Sequence, residues 1–244
     1  MSGVRVMLTS LTCAKGDVAG NMARHRGLVE SAADHHCDLV LLPEMSLTGY
    51  RASAAAALDH PSVTELVAAT AAGPALCFGV VETDHSGGRP FITQLVADHG
   101  QVVAVHRKSH LGEGEDTDFQ PGPAAEAFLL ADASCVVAVC AEIGATRPYA
   151  HDGVRVVLGP SAPGLYGDRR RTDADWRRGW DWWRGSVIGD AARLLRRDQV
   201  LLVSTQAGAT DDEDFPGWAA VLEPGGTVAA ELPDWREGTI VVEV

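Results

Sequence analysis

Three side chains able to share one covalent reaction stand directly after apolar runs: Glu44 after Cys37–Pro43, Lys108 after Gln101–Arg107, and Cys140 after Cys135–Val139. In layered α/β proteins, ligands bind in the crevice beyond the carboxyl ends of the strands. A carboxylate gathered there takes the proton of a thiol, the thiolate attacks an electrophilic carbon, and an ammonium stabilises the negative charge that develops. Taken singly, each has an ordinary alternative. A Glu at a strand end caps it in water, a Lys is solvated, and a Cys is a small core residue.

The elements that must hold these residues are legible from periodicity. Val4–Thr9 reads as an opening strand, and Asp17–His36 as a helix carrying Met22, His25, Leu28, Val29 and Ala32 on one face. Further strands are expected over Cys37–Leu42, Ala75–Val81, Phe91–Asp98, Gln101–His106, Ala127–Leu130, Cys135–Val139, Val154–Leu158, Gln199–Thr205, Trp218–Leu222, Thr227–Ala230 and Thr239–Val242. Ser62–Ala72 reads as a helix capped by Ser62, Arg147–Asp152 as a short one, and Asp173–Arg197 as a long one weakened by Gly179, Gly185 and Gly189. Lys108–Gly122 reads as a polar loop. Interleaved helices and short apolar strands imply α/β layering. No break in composition marks a linker, so residues 1–244 are expected to form a single domain.

Composition removes several function classes. Hydrophobic residues make up 46% and charged residues 22%, which is globular rather than disordered. The formal net charge of −13 argues against a nucleic-acid or polybasic membrane partner. No apolar run reaches the ~18–20 residues of a membrane span. Met1–Val6 lacks a basic segment leading into an apolar one, so no secretory signal is expected. Five cysteines, without a C-x-x-C pair, fit a reducing cytoplasm. His35 and His36 are adjacent, and His106 and His110 flank Lys108, so neither pair has zinc-ligand spacing; no metal and no cofactor are expected. Trp176, Trp180, Trp182 and Trp183 among several arginines read as an amphipathic helix that packs its tryptophans into a core or a partner interface and turns its arginines outward. Asp211–Asp214 reads as a solvated acidic loop.

The local motifs add a resemblance. Asp38–Tyr50, which contains Pro43-Glu44, resembles the glutamate motif of the nitrilase (carbon–nitrogen hydrolase) superfamily. Arg107–Leu111, then Glu115 and Phe119-Gln120-Pro121-Gly122, resembles its lysine motif. Val137–Glu142 is similar to its cysteine motif, in which a carboxylate often lies two residues past the nucleophile. Gly153–Ala162 and the run from Ser204-Thr205-Gln206-Ala207-Gly208 to Glu223–Val228 match in the same order.

The resemblance implies a four-layer α-β-β-α sandwich that forms a homodimer or higher homo-oligomer. It implies a hydrolase of a small amide or N-carbamoyl compound, with Glu44 as general base, Lys108 as electrostatic stabiliser and Cys140 as nucleophile. It makes Glu115 the additional loop glutamate, favoured over Glu113 by its distance from Phe119 and Pro121-Gly122, and the Ala141 N–H a second oxyanion donor. Two places depart from the family: after Cys140, Ala141 stands where an aromatic residue is usual, and before the late Gly208, Thr205-Gln206-Ala207 replaces an Asn-Arg-like pair. Two alternatives stay open, a binding or scaffolding protein that keeps the fold without turnover, and an acyltransferase in which an amine replaces water.

Overall fold

The computed structural model describes residues 3–145, 153–164, 173–210 and 213–244. The expected helix over Arg147–Asp152 lies outside the described residues. The strands are β1 (Arg5–Leu11), β2 (Leu39–Leu41), β3 (Ala75–Glu82), β4 (Phe91–Asp98), β5 (Gln101–Arg107), β6 (Phe128–Leu130), β7 (Ala133–Val137), β8 (Val156–Ser161), β9 (Val200–Ala209), β10 (Asp214–Pro216), β11 (Ala219–Glu223), β12 (Thr227–Leu232) and β13 (Gly238–Glu243). The helices are α1 (Val18–Asp34), α2 (Pro61–Ala69), α3 (Glu142–Ala145), α4 (Asp173–Trp182) and α5 (Asp190–Arg193).

The strands form two halves in the orders β5-β4-β3-β2-β1-β13 and β6-β7-β8-β9-β11-β12. They join where the end of β1 pairs in parallel with β9, Ser10 opposite Thr205 and Leu11 opposite Gln206. The sheet is thereby folded nearly closed, with β2, β3, β1, β9, β8 and β7 running in parallel at its centre. Apolar residues facing inward from the two halves, among them Val6, Leu39, Leu41 and Val96 against Cys135, Val137 and Leu158, form one core. Each fully buried side chain of this size contributes about 1.5–3 kcal/mol. Helices α1 and α2 cover the outer face of the first half over Met7, Val40, Leu76 and Phe78. On the second half, α3 sets Ile143 against Gly159 of β8. This is the expected mixed α/β sandwich.

Local differences from the sequence reading have physical causes. Helix α2 starts one residue earlier than expected, because the His60 ring, not Ser62, accepts the Ser62 N–H as cap, and Pro61 suits the first helical position. The long helix is interrupted by a π-helical segment over Trp183–Gly189. That wider turn brings Trp183 into a stack with Trp180 at 5.4 Å between centroids, and both meet Trp218 edge-on, whereas Trp182, expected to pack with them, falls on the other face of the helix and is 60% exposed. Arg184 does not point away: its guanidinium lies 4.6 Å from the Trp218 ring and 5.6 Å from that of Trp180, so it packs as a cation on aromatic faces. No described helix is long and apolar enough to cross a membrane.

Candidate active site

Parallel strands leave their carboxyl ends on one side of the molecule, and the chemistry gathers there. A cavity of about 850 Å³ lies at the other end, among Val4, Ala133, Val156 and Val200, and holds none of the residues below. Glu44 follows β2 in a segment tied to β3 by the Leu47 N–H to Gly79 O bond (2.8 Å) and the Gly79 N–H to Ser46 Oγ bond (3.1 Å). Lys108 follows β5; its N–H donates to Ile92 O and its carbonyl accepts from Gly122, at 2.8 and 2.9 Å. Cys140 follows β7 at φ +48°, a left-handed conformation that is uncommon and costly outside glycine. That turn aims the side chain away from the strand while its N–H donates to Pro160 O at 3.0 Å.

The side chains converge. Lys108 Nζ donates to Glu44 Oε1 at 2.8 Å and meets Glu115 at 2.8 Å. Glu44 Oε2 accepts the Ala162 N–H at 2.9 Å, just beyond β8. Glu115 is anchored by the Tyr50 hydroxyl at 2.5 Å and the Gly112 N–H at 2.6 Å. Glu44 and Lys108 are buried, and Cys140 is 9% exposed. The Cys140 thiol interacts electrostatically with Glu44, Lys108 and Glu115 and is favoured as thiolate by the Ala162 N–H. Across Val139–Ile143, the N–H groups of Val139, Cys140, Glu142 and Ile143 have protein acceptors. Among the described residues none takes the Ala141 N–H, leaving it available to an oxyanion.

Burial sets the protonation states. It lifts the Glu44 carboxyl to about 7, outweighing the attraction of Lys108 and helped by repulsion from Glu115. Burial also pushes the Cys140 thiol up to about 12, with Glu44 adding to the rise and Lys108 opposing it. Burial alone would lower the Lys108 ammonium, yet Glu44 and Glu115 hold it charged well above its ordinary range. Above neutral pH the resting site is therefore a carboxylate, an ammonium and a neutral thiol.

Glu142 locks two loops together. Its oxygens accept from the Val139 N–H (2.8 Å) on the cysteine side, and from the Ser109 N–H (2.6 Å) and Ser109 Oγ (2.7 Å) beside Lys108. It also meets His106 Nε2 at 2.7 Å. Burial opposes its charge, but the bonds from His106, Ser109 and Val139 win and hold its carboxyl below the usual range. Tyr50, Ala162 and Gln206, whose Nε2 donates to Glu44 O at 2.8 Å, had no assigned role in the sequence reading, although all three lie within the motifs. Lys15 and Glu213 also escaped it. Glu213 does not belong to a merely solvated acidic run: it pairs with the buried Lys15 at 2.5 Å.

A model of the carbon-nitrogen hydrolase family matches residues 7–244. The chain is 29% identical over 254 residues to a glutamine-dependent NAD(+) synthetase of Rhodobacter capsulatus, covering 98% of this chain and 43% of that one. It is 36% identical over 133 residues to a hydrolase encoded in the pqqF 5' region of Pseudomonas protegens, covering 50% of this chain and 46% of that one. The chain thus spans less than half the length of these curated relatives. Its fold is similar to a mutant amidase of Nesterenkonia sp. AN1 with the acetamide moiety of fluoroacetamide added covalently at its active site cysteine. The TM-score is 0.83 at 22% identity, covering 100% of this chain and 90% of that one. With the match running from β1 to the last residue, the chain belongs to the carbon-nitrogen hydrolase family.

Proposed function

We propose that this chain hydrolyses the carbon–nitrogen bond of a small amide through a thioester on Cys140. The observation that carries the reading is the buried Glu44–Lys108–Glu115 chain at 2.8 Å spacings beside the thiol. Glu44 takes the Sγ proton as the sulfur attacks the carbonyl carbon, since the thiol is not ionised at rest. The oxyanion is held by Lys108 Nζ and the Ala141 N–H. Collapse breaks the carbon–nitrogen bond, and the leaving amine takes the proton from Glu44. Water then gives a proton to Glu44, and its oxygen attacks the thioester. Collapse breaks the carbon–sulfur bond, and the sulfur recovers the proton as the acid departs. Glu115 holds Lys108 and borders the water.

Acid quenching during turnover of a small amide, followed by peptide mass analysis, is expected to find the acyl group on Cys140. The remaining cysteines, all buried, stay unmodified. Labelling of Cys140 no faster than Cys13 or Cys77 contradicts the reading and favours a scaffold that keeps the fold. Added amines that divert product from acid to a new amide point to acyl transfer instead.

The pH profile gives a second check. The base must be ionised, and its carboxyl sits near 7. Activity is therefore lost as pH falls, with kcat/KM rising about tenfold per unit up to pH 7 and levelling above it. A profile that stays flat down to pH 5 excludes Glu44 as the base.

A further inference from the structure

The two donors assigned to the oxyanion come from opposite halves of the sheet, Lys108 after β5 and the Ala141 N–H after β7. The buried Glu142 carboxylate is bonded beside both. Its Oε1 accepts the Ser109 N–H at 2.6 Å and the Ser109 hydroxyl at 2.7 Å, with the His110 N–H at 3.4 Å. Its Oε2 accepts the Val139 N–H at 2.8 Å and lies 2.7 Å from His106 Nε2. Lys108 thus stands between His106 and Ser109, both fastened to one carboxylate, which also fastens the residue before Cys140.

Each bond has a local cause. At the end of β7, the Ala138 and Cys140 N–H groups donate to Leu158 and Pro160 of β8. The Val139 N–H faces the other edge, where β6 pairs only as far as Cys135, so Glu142 supplies the acceptor that a strand would. The Glu142 N–H donates back to Val139 O at 3.0 Å and the Ile143 N–H to Cys140 O at 3.1 Å, closing the turn around Cys140 at φ +48°. Across the sandwich, His106 lies opposite Gln94 in the sheet and is 6% exposed, so its ring is buried against Glu142. Bonds to an ionised carboxylate are shorter and stronger than neutral ones. Donors that reach it from the lysine loop, the cysteine turn and β5 fix its orientation as well as its place.

We propose that Glu142, braced by His106, is a positioning residue that aims Lys108 Nζ and the Ala141 N–H at one point, so that it serves the oxyanion rather than the binding of the amide. Ala141 is the residue between Cys140 and Glu142, and its N–H is directed by the turn that Glu142 closes. This rests on the amide-hydrolase reading above.

His106→Leu removes the donor to Oε2, and His106→Gln restores a side-chain N–H of similar reach. In His106→Leu, kcat for a small amide is expected to fall about ten- to hundredfold with KM within about threefold of native, the pattern of an interaction made in the transition state. His106→Gln is expected to recover most of that loss. A second readout uses methyl methanethiosulfonate, which transfers its methylthio group to Cys140. The sulfur gives its proton to Glu44, a sulfur–sulfur bond forms, and methanesulfinate leaves without an oxyanion arising on carbon. The rate of this step is expected to stay within about twofold of native in both variants, because no oxyanion donor takes part. Circular dichroism reports the fold, and Ser109→Ala, which removes one donor to Oε1, is expected to show the same split and replaces His106→Leu should that variant not fold. A folded variant with native kcat overturns the proposal, as does a loss carried by KM. Thiolation that slows in step with turnover also overturns it, since the thiol itself has then moved, and so does a His106→Gln variant as slow as His106→Leu. A native chain that releases no ammonia from small amides and carries no acyl mass on Cys140 instead refutes the hydrolase reading and takes this assignment with it.

Discussion

Cys140→Ala is expected to lower amide turnover to below about one part in ten thousand, the scale seen when the nucleophile of a covalent mechanism is removed. Among the described residues no neighbouring group is placed to take over. Glu44 faces Lys108 and Ala162, Glu115 is occupied by Tyr50, Gly112 and Lys108, and the other cysteines are buried elsewhere. The fold tolerates the change. Alanine loses one sulfur from a tightly lined site and inherits the same φ of +48°, at a cost of about 1–2 kcal/mol. Amide binding is expected to persist, because the oxyanion donors and the Glu44–Lys108–Glu115 contacts remain. Ammonia assays read the turnover, and isothermal titration of the variant with an amide reads the binding. Turnover above about one percent of the native value removes the thioester route.

Lys108→Met is expected to damage both catalysis and stability, for one reason. The lysine is the shared cation of Glu44, which burial makes reluctant to ionise, and of Glu115, so its loss leaves both carboxylates without their partner. Breaking such a buried pair costs about 3–5 kcal/mol. The sign with pH follows from Glu44. Its carboxyl, already raised in the folded chain, rises further without the cation, so the folded state binds a proton the unfolded chain has released. The deficit in stability is therefore largest near pH 8 and shrinks as pH falls toward the ordinary carboxylate range. Catalysis loses an oxyanion donor, worth about 10²–10³ in kcat. It also loses base at neutral pH, so the acid limb of the residual activity moves above 7. Thermal melts at pH 5 and 8 with a residual pH profile check both parts. A melting deficit independent of pH shows that Lys108 does not hold the two carboxylates.

Strand positions and the order of the catalytic side chains could be read from the chain because both depend on short-range patterns. Apolar runs of strand length, ended by Pro43-Glu44, Arg107-Lys108 and Val139-Cys140, report where a buried strand stops and a polar side chain emerges. The helix over residues 18–34 was legible for the same reason, and the Asp17 side chain caps it by accepting the Gly20 N–H. Helix starts were less secure, as His60 shows: a ring nitrogen serves as cap where a hydroxyl was expected. The π segment at Trp183–Gly189 had no such signal, since the widened turn accompanies the packing of Trp183 on Trp180 and Trp218, and Trp218 belongs to a distant segment.

From sequence alone came the kinds of groups that do the chemistry and the strands they follow. Tertiary structure alone decided how those groups titrate and what surrounds them. Burial raises Glu44 and Cys140, while the two carboxylates brought beside Lys108 hold it charged against burial. Glu142 fastens the lysine loop to the cysteine turn across 33 residues. Lys15 and Glu213, 198 positions apart, meet only because the chain returns through β9 and β10 to the end of β1. Periodicity carries no information about such encounters, because a side chain's electrostatic environment is set by whatever the closed fold brings within a few ångströms of it.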